Sequence, residues 1–213
     1  MYKSVVSLLV FLSFSACPAQ EEWILKSDKG EIRTYSKRVA DSKINAVKIV
    51  SVFPASLTQF VSVILDIASY DKWIYNSRST KLIKQVSPAD LYYYSEVAFP
   101  WPTVNRDFVS HITVRQDAQT KIVSVDANNV SGLVPVKPNM VRITRSSGRW
   151  IITPLAKDQV KVEYILQVDP GGDLPAWLIN PFASKGLVET FKNLRTQLKK
   201  PTYAATRLPF IID

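Results

Sequence analysis

The chain has 213 residues, of which 46% are hydrophobic and 21% charged, and its formal net charge at pH 7 is +9. A chain of this length and composition can bury one sizeable core, which excludes intrinsic disorder and favours a single domain. The positive charge favours an anionic partner such as a membrane surface. Since the chain has neither a long basic run nor a nucleic-acid motif, we expect no nucleic-acid partner.

Residues 1–19 are predicted to form a secretory signal peptide. Lys3 precedes the apolar run 5–14, and small residues follow that run, which is the usual layout of such a peptide. An apolar run of about ten residues is too short to span a bilayer as a stable helix. We therefore expect an exported protein that is either periplasmic or tethered to a membrane.

Cys17 is the only cysteine of the chain and ends the stretch Phe14-Ser15-Ala16-Cys17. This stretch resembles a bacterial lipobox, so lipidation at Cys17 would tether the protein to a membrane. Cleavage after Ala19 is the alternative and would release a soluble form. In both cases the mature domain contains no disulfide.

The first structured segments are predicted to be a hairpin followed by a short helix. The runs 31–39 and 44–53 have strand composition and are separated by the polar turn 41–43. Pro54 ends the second strand. Apolar residues at helical spacing then predict an amphipathic helix, with Ser56 as its N-cap.

Strand patterns dominate the middle of the chain. The predicted strands cover residues 82–86, 91–99, 107–115, 121–127, 140–153 and 159–168. Because these strands follow one another directly, we expect antiparallel pairing. In the last strand Val160, Val162 and Tyr164 alternate with polar residues, which indicates one buried and one solvated face.

A long amphipathic helix is predicted near the C-terminus, because Leu187, Phe191, Leu194 and Leu198 recur at helical spacing. One such helix against a strongly curved sheet would bury the apolar face of the sheet. Large side chains meeting at an angle can leave a hollow, so this arrangement also allows an apolar ligand cavity. The tail, residues 200–213, carries no clear pattern.

The stretch Pro100-Trp101-Pro102 must end a strand, because proline cannot donate to the hydrogen-bond ladder of a sheet. Arg106 and Asp107 then stand at the head of the next strand. Two roles are open for them. Both could form structural hydrogen bonds to each other or to nearby backbone, or Arg106 could contact an anionic head group.

These residues resemble a known family signature. Pro100-Trp101-Pro102 followed by Asn105-Arg106-Asp107-Phe108-Val109 is similar to the proline-aromatic-proline and Arg-Asp-aromatic motifs of the START (steroidogenic acute regulatory protein-related lipid transfer) domain family. Further agreement comes from Tyr70-Asp71-x-Trp73, Gly148-x-Trp150 with Pro154, Asp169-Pro170-Gly171-Gly172 with Pro175-x-Trp177, and the C-terminal helix.

The resemblance implies a START-like lipid-binding domain over residues 20–199. Its fold would be the α+β helix-grip fold, a curved antiparallel sheet wrapped around a long C-terminal helix. The family encloses an internal hydrophobic cavity for one molecule such as a sterol, phospholipid or sphingolipid. Function would then be binding and transfer of a lipid in the cell envelope, by a chain that we expect to be monomeric.

One departure from the family is informative. Sterol-binding members resemble one another in an arginine shortly after the Arg-Asp pair and an acidic partner on the preceding strand. Ile112 and Tyr93 hold these positions here. The resemblance therefore implies a more apolar cavity, with hydroxyl groups of Tyr93, Ser110 or Tyr164 as its polar contacts.

Strand parity and the resemblance together define the candidate ligand-binding residues, which are Tyr93, Arg106, Phe108, Ser110, Ile112, Tyr164 and Leu166. Leu133, in the apolar loop 129–139, and Trp177 are candidate gate residues, because family members are thought to admit ligand by moving a loop and the C-terminal helix. The alternative interpretation is that these side chains only fill a core or pack a loop.

The sequence contains little evidence for a catalytic site. The single histidine, His111, is predicted to face away from the cavity, and the mature domain lacks cysteine, a nucleophile elbow and metal-ligand spacing. We expect no cofactor, no metal and no catalytic residue. Two alternatives to lipid binding stay open, a cavity enzyme of the polyketide cyclase or thioesterase type and a non-catalytic envelope interaction protein.

Overall fold

A computed structural model describes residues 22–40, 42–172 and 174–213. The predicted signal peptide and Cys17 lie outside the described residues. In the described part, a large antiparallel sheet wraps around a long C-terminal helix. The predicted α+β helix-grip fold is therefore confirmed.

One sheet contains every strand described. The strands are β1 (Ile24–Lys29), β2 (Ile32–Lys37), β3 (Ala46–Phe53), β4 (Ser77–Ser87), β5 (Asp90–Val97), β6 (Arg106–Gln116), β7 (Val123–Asn129), β8 (Val141–Arg142), β9 (Arg145–Ala156) and β10 (Gln159–Asp169). Their order is β1-β2-β3-β10-β9-β7-β6-β5-β4, with antiparallel neighbours throughout. The short strand β8 pairs in parallel with the start of β6.

Strand boundaries differ from the predictions mainly where side chains are exposed. β1 has almost no buried residue and so no alternating pattern, and its pairing with β2 holds it in the sheet. β4 is an exposed edge strand that begins at Ser77, earlier than predicted. The predicted strand 140–153 is two strands, because β8 pairs with β6 while β9 pairs with β7 and β10.

The described residues form four α-helices, which pack on the sheet or on one another, namely α1 (Leu57–Leu65), α2 (Tyr70–Trp73), α3 (Ala176–Leu198) and α4 (Pro201–Ala204). The Ser56 hydroxyl accepts a hydrogen bond from the Gln59 amide at 3.2 Å, which confirms the predicted N-cap of α1. None of the helices in the described ranges is long and apolar enough to cross a membrane.

Aromatic rings join α1 and α3 to the sheet. The ring of Phe53 on β3 lies 5.2 Å from that of Phe60 and 5.7 Å from that of Phe191. The Trp150 ring on β9 stacks on Phe191 at 5.7 Å. All three phenylalanines are fully buried, so this cluster fixes the C-terminal half of α3 against the sheet.

The tail after α3 packs on the domain. The Tyr203 hydroxyl donates to Asp66 at 2.7 Å and accepts from the Gln197 side-chain amide at 2.5 Å. At the chain end, the Asp213 carboxylate accepts from the Thr58 amide at 2.7 Å, in the first turn of α1. Ile211 is buried. The tail thus contacts both ends of α1.

Arg106 and Asp107 do not pair with each other. The carboxylate of Asp107 is fully buried and accepts two hydrogen bonds from the Arg142 guanidinium, at 2.8 and 2.9 Å, and one from the Tyr94 hydroxyl at 3.0 Å. Arg142 also donates to the carbonyls of Val134 and Pro135, both at 3.0 Å. Asp107 therefore anchors the base of the loop between β7 and β8.

Arg106 makes a second set of structural contacts. Its guanidinium donates to the carbonyls of Pro170 and Gly171, each at 3.2 Å, and to that of Val104. The same group lies 4.6 Å from the centre of the Phe99 ring. These contacts join the β5–β6 loop to the turn before α3, so the structure shows the structural role that was one of the two predicted alternatives.

Removing the Asp107 carboxylate is predicted to destabilise the fold strongly. Asp107→Ala leaves the largely buried Arg142 without its partner, a change that costs about 3–5 kcal/mol in comparable buried pairs. The free energy of unfolding from urea titration at pH 7 measures the loss. The control is Asp126→Ala, whose partner Arg149 is exposed, and it should lose no more than about 1 kcal/mol. Equal losses in the two variants would contradict the anchoring role.

The same carboxylate predicts acid sensitivity. Burial raises the pKa of Asp107, but the hydrogen bonds from Arg142 and Tyr94 outweigh burial and hold the pKa below its usual value. Its contribution to stability is therefore present above the unfolded-state pKa of about 3.9 and is lost as pH falls through the folded-state pKa. The stability difference between wild type and Asp107→Ala should shrink in urea titrations over that acidic range. A constant difference would be the contrary result.

Candidate functional site

An apolar cavity of about 220 Å³ lies between α3 and the sheet. Its aromatic lining residues are Trp73, Tyr75, Tyr93, Phe99, Phe108, Trp150, Tyr164 and Phe182, and its aliphatic ones include Ile74, Val97, Ile143, Leu166, Val168, Ile179 and Leu187. Within the described ranges, no charged side chain contributes to this lining. The cavity therefore suits an uncharged, apolar molecule or part of one.

Several predicted ligand-binding residues meet in this cavity. Phe108 and Ser110 reach it from β6, Tyr93 from β5, and Tyr164 and Leu166 from β10. Tyr93 is the cross-strand partner of Ser110, so the two polar side chains enter the cavity side by side. The structure brings these residues together, and their contact with a ligand stays a prediction.

Arg106, Ile112, Leu133 and Trp177 lie outside the lining. Arg106 points at backbone carbonyls, as described above. Ile112 is buried in the core, next to Leu91 across the β5–β6 pair. The alternation of side chains along β6 correctly predicted that Ile112 lies on the inner face of the sheet. Alternation does not show how far along a strand the cavity extends, and this cavity ends before Ile112.

The predicted ligand-binding residues did not include the helix side of the cavity. α3 contributes Ile179, Phe182, Ala183, Leu187 and Thr190 to the lining. Most of these residues recur at helical spacing. They come before Leu187, Phe191, Leu194 and Leu198, whose spacing predicted the helix. Extending that spacing toward the N-terminus of the helix would have found them.

The polar groups in the cavity are neutral. Burial raises the pKa of the Tyr93 and Tyr164 hydroxyls above its usual value, so both stay protonated at neutral pH. The Thr190 hydroxyl accepts from the Tyr75 amide at 3.0 Å. The indole N–H of Trp73 is buried and has no hydrogen-bond partner among the described residues. A few neutral hydroxyls and an indole can orient an apolar ligand.

Gly148 provides the space that Tyr164 occupies. The Tyr164 ring stacks on Trp150 with 4.1 Å between ring centres, and a Cβ atom at position 148 would lie 2.7 Å from the Tyr164 hydroxyl oxygen. Any side chain at this position would push Tyr164 from its place beside the cavity.

We predict that Gly148→Ala destabilises the protein by about 1–3 kcal/mol, the usual cost of overpacking. Adding Tyr164→Phe should recover part of the loss, because the closest clashing atom is then absent. Thermal and urea unfolding of the single and double variants measure this coupling. Additive effects, or a Gly148→Ala protein as stable as wild type, would show that Tyr164 is free to move.

Four loops meet at the end of the sheet next to the cavity, and we call them the rim. The rim consists of the described residues 38–40, 42–45, 98–105, 130–140, 170–172 and 174–175. Strand pairing places them together, since Arg106 pairs with both Val97 and Val141, and Asp169 pairs with Arg145. Phe99, Val168 and Pro170 line the cavity from this side, so the cavity extends to the rim.

Large apolar side chains are exposed on and beside the rim. Trp101 is 92% exposed and Trp177, in the first turn of α3, is 76% exposed. Leu133 and Val136, on the loop that Arg142 anchors, are also exposed. Exposed tryptophans next to an apolar cavity are typical of a surface that contacts another apolar phase.

Comparison with known proteins identifies relatives over most of the chain. The family description "START domain" matches residues 12–203. An uncharacterized protein of Pseudomonas aeruginosa is 30% identical over 181 residues, covering 84% of this chain and 88% of that protein. The phosphatidylcholine transfer protein of Rattus norvegicus is 25% identical over 178 residues, covering 81% of this chain and 82% of that protein.

Solved structures agree with these relatives. The crystal structure of a STAR-related lipid transfer protein from Xanthomonas axonopodis superposes with a TM-score of 0.77 at 29% identity, covering 84% of this chain and 99% of that chain. Human STARD10 superposes with a TM-score of 0.75 at 20% identity, covering 88% and 77% of the two chains, and this likeness concerns the fold alone.

Proposed function

Because the chain belongs to the START domain family, as its motifs predicted, we propose that it binds a lipid in the cavity under α3 and transfers it between membranes. The observation that carries the proposal is the apolar, uncharged lining of that cavity. Similarity to proteins named for lipid transfer, from Xanthomonas axonopodis and Rattus norvegicus, supports it.

Burial of an acyl chain supplies the binding energy. Each square ångström of apolar surface removed from water contributes about 25 cal/mol. The aromatic walls offer large apolar surfaces for this burial, while the hydroxyls of Tyr93 and Tyr164 offer hydrogen bonds to an ester or hydroxyl group. The cavity thus favours the apolar part of a lipid over any ion.

Docking of the rim on a membrane would allow the lipid to leave without crossing water. Trp101 and Trp177 are exposed there, and indole rings prefer the interface between headgroups and acyl chains. The net charge of +9 would strengthen the contact with anionic lipids. Leu133 and Trp177 remain the candidate gate residues of this proposal.

The cell envelope is the proposed location, on the strength of the predicted signal peptide in residues 1–19. Lipidation at Cys17 and cleavage after Ala19 remain the two alternatives for the mature protein. The intact mass of the N-terminal peptide from the mature protein distinguishes them, because lipidation adds the mass of acyl chains to a peptide that begins with Cys17.

Catalysis in the cavity is a weaker candidate. The His111 ring stacks on Tyr92 at 4.1 Å and its Nε2 lies 2.8 Å from an Asp90 oxygen, and none of the three residues lines the cavity. The described residues contain no cluster of side chains suited to a metal. No observation on this cavity favours turnover over binding.

A cavity-filling variant tests lipid binding. Ala183→Trp places an indole in a cavity of about 220 Å³, so we expect the affinity for a fluorescent acyl-chain probe to fall at least tenfold. Ala118→Trp, on the exposed β6–β7 loop, is the matched control and should bind normally. Unchanged binding by a folded Ala183→Trp protein would place the lipid elsewhere.

A second experiment tests transfer at the rim. We expect Trp101→Ser combined with Trp177→Ser to slow lipid transfer between anionic vesicles several-fold, while equilibrium binding of the same probe in solution is unchanged. Rising salt should slow the wild-type rate, because it screens the basic surface.

The control for this experiment replaces exposed apolar residues away from the rim. Leu82→Ser combined with Val86→Ser changes the edge strand β4 and should leave the transfer rate near that of wild type. Equal slowing in both double variants would argue against docking through the rim.

A further inference from the structure

A polar groove adjoins the cavity at the rim. It has a volume of about 640 Å³, is open to solvent, and shares Ser146, Val168 and Pro170 with the lining of the cavity. A single molecule can therefore occupy both spaces, with one end in the cavity and the other in the groove. This inference rests on the proposed function, which places a lipid in the cavity.

The groove carries the charged groups that the cavity lacks. Lys43, Arg145 and Asp169 line it, together with the polar side chains of Thr144 and Ser147. Among the described lining residues, two cations thus face one carboxylate. The Arg145 guanidinium is held by a hydrogen bond to the Asp169 carboxylate, whose second oxygen accepts from the Gly171 amide at 3.0 Å. Arg145 is nevertheless largely exposed, so it keeps donors free for a ligand.

The wall that carries Lys43 is fixed to α3. The Asn45 amide donates to the Asn180 side-chain oxygen at 3.0 Å, and the Ser42 hydroxyl donates to the Ile44 carbonyl at 3.0 Å. Lys43 precedes β3 and Arg145 begins β9, and both strands pair with β10, so the two cations line the groove from either side of β10. Two cations that line one groove suit a phosphate group.

Charge and volume together assign the orientation of the ligand. An ionised headgroup inside the uncharged cavity would lose its hydration without gaining a partner, whereas the groove offers cations and water. The cavity, at about 220 Å³, is smaller than typical ligand pockets of about 300–1,000 Å³, which favours one acyl chain over two. The larger groove favours a headgroup bulkier than a carboxylate.

We infer that the ligand is a single-chain lipid with a phosphate-bearing headgroup. Its acyl chain occupies the cavity, and its phosphate lies in the groove between Lys43 and Arg145. The groove thereby selects lipids by their headgroup, and the cavity selects them by the number of their chains.

The test compares the affinities of the full chain for palmitoyl lysophosphatidic acid and for monopalmitoylglycerol, which differ only in the phosphate. We expect the phosphate-bearing lipid to bind at least tenfold more tightly. Lys43→Gln combined with Arg145→Gln should remove that preference while changing the affinity for monopalmitoylglycerol less than twofold. Retained affinity for the neutral lipid also shows that the variant is folded.

Charge-matched and competition controls complete the test. Lys81→Gln combined with Lys84→Gln, on the exposed strand β4, removes the same charge and should keep the preference. Equal affinity for both lipids in wild type, or a preference that survives in the groove variant, would overturn the inference and leave lipid binding intact. Tighter binding of dipalmitoylphosphatidylcholine would overturn the single-chain assignment.

Two outcomes separate the inference from its premise. Inorganic phosphate that binds the groove as tightly as the lysophospholipid would show a site for free phosphate and overturn the lipid assignment. Failure of the wild-type chain to bind all three lipids would instead contradict the proposed function itself.

Discussion

The packing of α3 on the sheet is the constraint on which the rest of the structure depends. Its C-terminal half is fixed by Phe191, which meets Phe53 and Trp150 in a fully packed core. Its N-terminal half faces the cavity through Phe182 and Ala183. The same helix is therefore core at one end and the wall of a hollow at the other, which is how one amphipathic helix can close a large sheet and still leave room for a ligand.

The two buried charges at the head of β6 hold the loops around this hollow. Asp107 binds Arg142 and so anchors the β7–β8 loop, while Arg106 binds the carbonyls of Pro170 and Gly171 before α3. Both charges are satisfied outside the cavity, so its interior stays free of ions. The contacts of these two charges therefore lie at the rim, and the apolar cavity lies behind them. The polar groove lies between the two.

The sequence predicted the parts of this architecture that depend on local pattern. Alternation in β10 and the motifs around Pro100-Trp101-Pro102 predicted the inner face and the family. Alternation also put Ser110 and Tyr164 on the cavity side, and the family resemblance put Tyr93 there. The alternation of side chains could not show how far the cavity extends along β6, because Ser110 and Ile112 share a face but only Ser110 lines the cavity. Nor could sequence show the partners of Arg106, because Pro170 lies 64 residues away and the contact exists only after folding.

Native mass spectrometry of the full chain purified from its own host tests the central claim most directly. We expect one lipid molecule bound per chain, retained under gentle ionisation and released on unfolding. A protein that carries the mass of the bare chain alone, and that takes up no lipid when incubated with an extract of its host's membranes, would contradict it.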